Sequence, residues 1–213
     1  MRLTITTFLT IDGVVQAPGG PDEDRSGGFE HGGWVVPHAD DDMGASITEF
    51  FARADAFLLG RKTYEIFAGH WPRVPDDNPV AAALNKLPKY VVSTTLRSLT
   101  WKNSILIGAD VVGEVEKLKA QPGRELQVHG STNLAQTLIA HDLVDEYRLL
   151  VYPVFLGEGR RLFERPGLDG ALRLKEAKTT GSGIVVLTYE AAGPPRLGSF
   201  ELAPEPEHHR ILR

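Results

Sequence analysis

The sequence predicts an α/β fold built on a mixed but mainly parallel sheet, covered by helices on both faces and finished by an antiparallel hairpin. Three observations carry this. Short apolar runs alternate with stretches of helical periodicity, the pattern of strands joined by crossover helices. Several of those runs end on Gly, Ser or Thr immediately before a helix. The last two runs, Leu172 to Ala177 and Ile184 to Tyr189, are joined only through Gly181-Ser182-Gly183, which reads as a hairpin.

Residues 2–11 alternate Thr, Ile, Phe and Leu as a strand does, and Asp12-Gly13 is a turn signal. A Gly- and Pro-rich stretch follows from Ala17 to Pro37, too long to be a simple connection and so a candidate functional loop. Asp40, Asp41 and Asp42 precede Ile47, Phe50, Phe51 and Ala54, an acidic start to a helix with one apolar face. Ala56 to Leu59 is a short buried strand, and Lys62 to Ala68 is a helix stopped by Gly69 and Pro72. Tyr90 to Ser93 and Ser104 to Ile107 read as strands. Val112, Val115 and Leu118 mark a helix, and Glu125 to His129 a strand ending in Gly130. Ser131-Thr132-Asn133 can cap a helix that buries Leu134, Leu138 and Ile139, and Glu146 to Val154 is a further strand. Residues 1–191 thus form one domain. Residues 192–213, with four prolines, read as a polar tail.

Composition narrows the function. The chain has 213 residues, 42% of them hydrophobic, enough for a substantial core. A net charge of −5 argues against a broad nucleic-acid-binding face. With no cysteine, disulfides, thiolate zinc sites and cysteine nucleophiles are excluded, and a reducing cytoplasm is the expected setting. No apolar run approaches the ~20 residues of a membrane span. The N-terminal apolar stretch is broken by threonines and stopped by Asp12, so it reads as a strand and not a leader. His31, His38 and the acidic run at 40–42 match no standard metal spacing, so no metal is expected.

Three strand ends carry similar polar chemistry: Gly60-Arg61-Lys62-Thr63, Ser93-Thr94-Thr95 and Gly130-Ser131-Thr132-Asn133. In a parallel sheet such ends share one edge, where ligands bind. A glycine opening a helix offers free N–H groups and the positive end of the dipole to phosphate. Arg61 adds a planar fork suited to phosphate oxygens. Each turn alone is most simply a cap, whereas the three together suit one dinucleotide. Gly157-Glu158-Gly159-Arg160 begins like a dinucleotide fingerprint but lacks its third glycine, and reads instead as a loop shaping the far wall of the pocket.

These three segments, with Leu143-Val144-Asp145-Glu146 leading to Pro153-Val154-Phe155-Leu156-Gly157-Glu158-Gly159, resemble the dihydrofolate-reductase-like superfamily, in particular the reductase domain of the bifunctional riboflavin-biosynthesis deaminase-reductase and its stand-alone relatives. The resemblance runs from about Leu3 to Tyr189 and implies a three-layer α/β/α fold, NADPH as hydride donor, a small-molecule substrate and a homodimer. Carried over, Arg61 and Ser93 lie near the adenosine 2′-phosphate with Thr94 beside them, and Lys62 and Thr63 meet the pyrophosphate. Gly130, Ser131, Thr132, Asn133 and Leu134 form the second pyrophosphate turn. Phe8 lies near the nicotinamide, with Asp12, Gly13, Val14 and Val15 on the loop over it. The expected activity is hydride transfer to a small heterocycle, carbonyl or imine, riboflavin-pathway-like or pterin-like. The alternative is a non-catalytic nucleotide-binding or scaffold homodimer.

Asp12 and Asp42 are the first candidates for the proton source, with His38, Glu158 or a bound water behind them. Trp34 and Glu158 are candidates to contact substrate. The chain departs from folate reductases where an arginine would grip the folate glutamate, reading Asn85-Lys86-Leu87-Pro88. The deaminase half is absent, since there is no cysteine and no His-x-Glu.

Overall fold

The computed structural model describes residues 1–200; the expected tail lies outside the described residues from position 201 onward. Eight strands form one sheet: β1 (Arg2–Thr10), β2 (Ala54–Gly60), β3 (Lys89–Val92), β4 (Ser104–Ile107), β5 (Glu125–His129), β6 (Glu146–Tyr152), β7 (Leu172–Thr179) and β8 (Val185–Ala191). Their order is β4-β3-β2-β5-β1-β6-β8-β7. The first six in that order run parallel, and β8 pairs antiparallel with both β6 and β7. The expected mixed sheet with a closing hairpin is therefore the observed one.

Five α-helices cover it: α1 (Asp41–Phe51), α2 (Arg61–His70), α3 (Pro79–Lys86), α4 (Val111–Ala120) and α5 (Thr132–Ala140). Register sorts the strand residues onto two faces. Leu3, Ile5, Leu58, Leu126, Val128 and Leu149 pack with Val115 and Leu118 of α4 and Leu134 and Leu138 of α5. On the other face Phe57, Leu59 and Val91 meet Phe51 of α1, Tyr64 of α2 and Leu84 of α3. Helices on both faces give the three-layer α/β/α architecture.

Helix α3 goes beyond the strands and helices that periodicity marks. Its signals are local: Asn78 accepts from the Val80 and Ala81 amides, and Pro79 fills the first turn. At its other end the buried Lys89 ammonium bonds the Leu84 and Leu87 carbonyls at 2.7 and 2.9 Å and lies over the Trp101 ring. Asn85 accepts from the Trp101 indole at 3.0 Å. Asn85 and the Leu87 carbonyl are thus committed to packing.

Under α1 the sheet carries a polar layer. Arg148 is fully buried and bonds Glu125 at 2.6 and 3.0 Å and Glu146 at 2.8 Å, with its guanidinium 4.8 Å from the Phe50 ring centroid. Gln127 donates to Glu125 and to the Phe50 carbonyl, both at 2.7 Å, and its oxygen meets His129 Nε2 at 3.0 Å. Because both partners of the Gln127 nitrogen are acceptors, the amide orientation is fixed and His129 Nε2 must donate. His129 stacks on Phe51 at 4.2 Å, and burial first, then the Arg148 charge, pushes its pKa down to about 3. This ring therefore satisfies the Gln127 side chain.

Candidate active site

Because the six strands are parallel, the turns after β1, β2, β3, β5 and β6 all lie along one edge. The three polar turns follow β3, β2 and β5, which are adjacent in the sheet. Two of them are physically joined. The Ser131 hydroxyl accepts from the Gly60 amide at 2.9 Å and donates to Thr63 Oγ1 at 2.8 Å. Gly130 and Ser131 both hold positive φ, 57° and 55°, which turns the chain sharply into α5. The Ser131 side chain is thus turned to the neighbouring turn and does not cap its own helix.

That diversion has a consequence for the helix starts. Helices α1, α3 and α4 are each capped by a side chain, from Asp40, Asn78 and Asp110. Helices α2 and α5 have no side-chain cap. Their first-turn N–H groups, from Arg61-Lys62-Thr63 and Thr132-Asn133-Leu134, have no partner within the helix. Both are aimed at the same edge, and Leu134 is buried beneath the second.

The side chains around them are arranged as follows. Arg61 is exposed and reaches only Glu65, at 3.3 Å. Lys62 pairs with Asp24 of the long loop, as does Arg160. Ser93 is buried and its oxygen accepts from the Thr95 and Leu96 amides at 3.2 and 3.0 Å, while Thr94 and Asn133 are exposed. Gly13, at φ 82°, bends the chain back so that Val14 bridges Arg161 and Val15 donates to the Arg160 carbonyl at 2.9 Å. Val15 itself is buried in the core.

The carboxylates behave differently from expectation. Asp12 accepts from the Thr10 hydroxyl at 2.5 Å and from the Gly157 and Leu156 amides at 2.8 and 3.3 Å. Burial opposes its ionisation, but these bonds outweigh it and bring the pKa down to about 2. Such an acid has no proton to give at neutral pH; it staples the β1 turn to the segment after β6. Asp42 is exposed and accepts from the Gly181 amide at 3.2 Å, fastening α1 to the hairpin beside Asp40, which accepts from Ser182 at 2.9 Å. The structure thus gives Asp12 the part of a structural acceptor and places Asp42 at the contact between α1 and the hairpin.

Trp34 is buried, donates to the Gln16 carbonyl at 2.8 Å and meets Tyr152 edge-on at 5.3 Å. It anchors the long loop instead of forming an open stacking wall. Glu158 is exposed and pairs with His31 at 3.3 Å, a contact between the loop and the segment after β6. Phe8 packs edge-on to Tyr152 at 5.8 Å, and His38 approaches the same ring at 6.1 Å. Tyr152, Met43, Gln16 and Asp24 escaped the sequence reading. Tyr152 alone carried a signal, as an aromatic on the strand face shared with Phe8.

Loop residues Phe29, Trp34 and Val35 fill the space beside Phe8 and Tyr152. A concavity of about 650 Å³ lies elsewhere, lined by Pro72, Arg73, Asp76, Asn85 and Trp101. It contains none of the three turns. Among the described residues no group of three His, Asp or Glu side chains could hold a metal ion, and no helix is long and apolar enough to cross a membrane.

Comparison with known proteins agrees with this fold. A family model for the RibD C-terminal domain matches residues 2–186. The uncharacterized protein YyaP of Bacillus subtilis (strain 168) is 30% identical over 195 residues, covering 90% of this chain and 96% of that one. A Shewanella sp. PV-4 structure named for riboflavin biosynthesis is similar with a TM-score of 0.68 at 19% identity, covering 90% of this chain and 99% of its own. The diaminohydroxyphosphoribosylaminopyrimidine deaminase/5-amino-6-(5-phosphoribosylamino)uracil reductase of Thermotoga maritima is similar with a TM-score of 0.59 at 10% identity, covering 90% of this chain and 56% of that longer one.

Proposed function

The chain belongs to the RibD C-terminal domain family, a family of reductase domains, and on that premise we propose that it is an NADPH-dependent reductase acting on a small heterocyclic, carbonyl or imine substrate. The observation that carries the reading is the pair of uncapped helix starts, α2 and α5, tied side by side through Ser131 at the edge of the parallel strands. Helix starts without an internal cap are suited to anionic oxygens, and a dinucleotide brings a pyrophosphate.

The residues present fit such a cofactor. Lys62, Thr63 and the Gly130 to Leu134 turn would hold its pyrophosphate. Arg61 and Ser93, with Thr94 beside them, would hold the 2′-phosphate, and Arg61 has only a surface carboxylate to relinquish. When bound, NADPH supplies hydride from its nicotinamide. Phe8, Tyr152 and the loop residues around Trp34 exclude bulk water from the space where that ring would lie. Since Asp12 is held ionised, the reading takes the proton that completes reduction from a bound water. The reading includes a homodimer in the cytoplasm, as the family resemblance implies.

The test is Arg61→Ala. Loss of a charge-assisted contact of about 1.5–3 kcal/mol predicts roughly a 10–100-fold loss of affinity for NADPH, with NADH binding little changed. An unaltered NADPH/NADH ratio removes Arg61 from this role. A wild-type protein that gives no saturable fluorescence or calorimetric signal at millimolar NADPH removes the reading itself.

A further inference from the structure

The long loop places a carboxylate against the proposed cofactor site. Asp24 is only 6% exposed, yet it receives two cations, Lys62 from the first turn of α2 and Arg160 from the segment after β6. Its neighbours build a rigid turn around it. The Ser26 amide and hydroxyl donate to Asp24 Oδ1 at 3.1 and 2.7 Å, and the Gln16 side chain donates to the Asp24 and Ser26 carbonyls at 3.0 and 2.9 Å. Gln16 in turn accepts from the Arg160 amide at 3.1 Å.

The charges do not balance. Two full positive charges face one carboxylate. The Arg160 Nε–H is moreover buried without an acceptor, although an unpaired buried donor costs about 1–3 kcal/mol. A group with more negative charge and more oxygens than a carboxylate would suit the place better, and a pyrophosphate has both.

We propose that Arg160 joins Lys62 as a pyrophosphate ligand of this chain and that Asp24 occupies both as an internal anion until a phosphate-bearing ligand takes its place. The loop carrying Asp24 then leaves α2 as the ligand enters. This rests on the reading that a dinucleotide binds at this edge, and it assigns Arg160, which the incomplete glycine pattern left as part of a wall.

The experiment titrates wild type, Asp24→Asn, Arg160→Met and the double variant with NADPH and, separately, with inorganic pyrophosphate. Asp24→Asn removes the competing charge and is expected to bind both ligands about tenfold tighter, and Arg160→Met about tenfold weaker in either background, the size of one charge-assisted contact. Cleavage of wild type by a protease within residues 18–33 is expected to accelerate when NADPH is added. NADPH binding by wild type with no tightening in Asp24→Asn overturns the inference and leaves the reductase reading intact. Pyrophosphate binding that tightens in Asp24→Asn while NADPH never binds does the reverse. If circular dichroism shows that Asp24→Asn does not fold, Arg160→Met and the cleavage assay decide: unchanged affinity, or NADPH that slows cleavage, overturns it.

Discussion

Ser131 ties the two uncapped helix starts together, so its replacement separates the contribution of the hydroxyl from that of the backbone. Ser131→Ala removes the acceptor of the Gly60 amide and the donor to Thr63. The orphaned amide is partly buried, which places the cost near the lower half of the usual ~1–3 kcal/mol, at about 1–2 kcal/mol. For a chain of this size that lowers Tm by roughly 2–8 °C. Ser131→Gly loses the same hydroxyl but relieves the left-handed backbone, φ 55° and ψ 51°, recovering about 1 kcal/mol. The glycine variant should therefore be the more stable of the two. Thermal and urea unfolding followed by circular dichroism measure both values, and NADPH titration of the same samples should show weaker binding by each. An alanine variant as stable as wild type would refute the claim that this hydroxyl holds the turns together, and a glycine variant less stable than the alanine one would refute the left-handed strain assigned to residue 131.

Two further outcomes follow from side-chain geometry. A Cβ on Gly159 would stand 2.7 Å from Phe29 Cε2 and 2.8 Å from Val14 Cγ1, at φ 103°; Gly159→Ala should cost about 2–4 kcal/mol, read as a lower urea midpoint and faster proteolysis of the long loop. Asp12 has a folded pKa brought down to about 2 from its ordinary 3.8. Its contribution to stability is thus complete above the unfolded value and is lost as pH falls through the folded one. Between about pH 5 and pH 2 wild type should lose more stability than Asp12→Asn; parallel curves in pH-dependent unfolding would contradict the assignment.

The alternation of apolar runs and helical periods in the sequence was enough to place the strands, because a buried parallel strand is a local run of apolar residues bounded by turn residues. The two glycine turns were legible for the same reason. Helix α3 was harder, since its eight residues, Pro79–Lys86, are short for a period to establish itself, and its cap and proline carry the signal instead. The roles of Asp12 and Asp42 could not be read at all. Whether a carboxylate donates a proton or accepts two amide bonds and a hydroxyl bond depends on which turn lies beside it, and the two amide partners of Asp12 lie 144 and 145 residues away. Likewise Asp24 stood in a Gly- and Pro-rich stretch with no pattern to distinguish it, until the fold brought Lys62 and Arg160 to it.

The position of β1 has a bearing on how the protein is made. This strand precedes both of its neighbours in the chain, yet it sits inside the sheet between β5 and β6, with Leu3 opposite Leu126 and Thr4 opposite Glu146. At about 5–20 residues per second, the nascent strand waits roughly 7–30 s for its neighbours. During that interval its apolar face has no native covering, which favours slow, long-range closure and exposes the chain to aggregation. The threonines along the opposite face, Thr4, Thr6 and Thr10, reduce the hydrophobicity of the waiting segment. Two of them, Thr4 and Thr6, end up buried with hydroxyls that find no partner among the described residues: a small loss in the finished molecule that is consistent with a safer passage through synthesis.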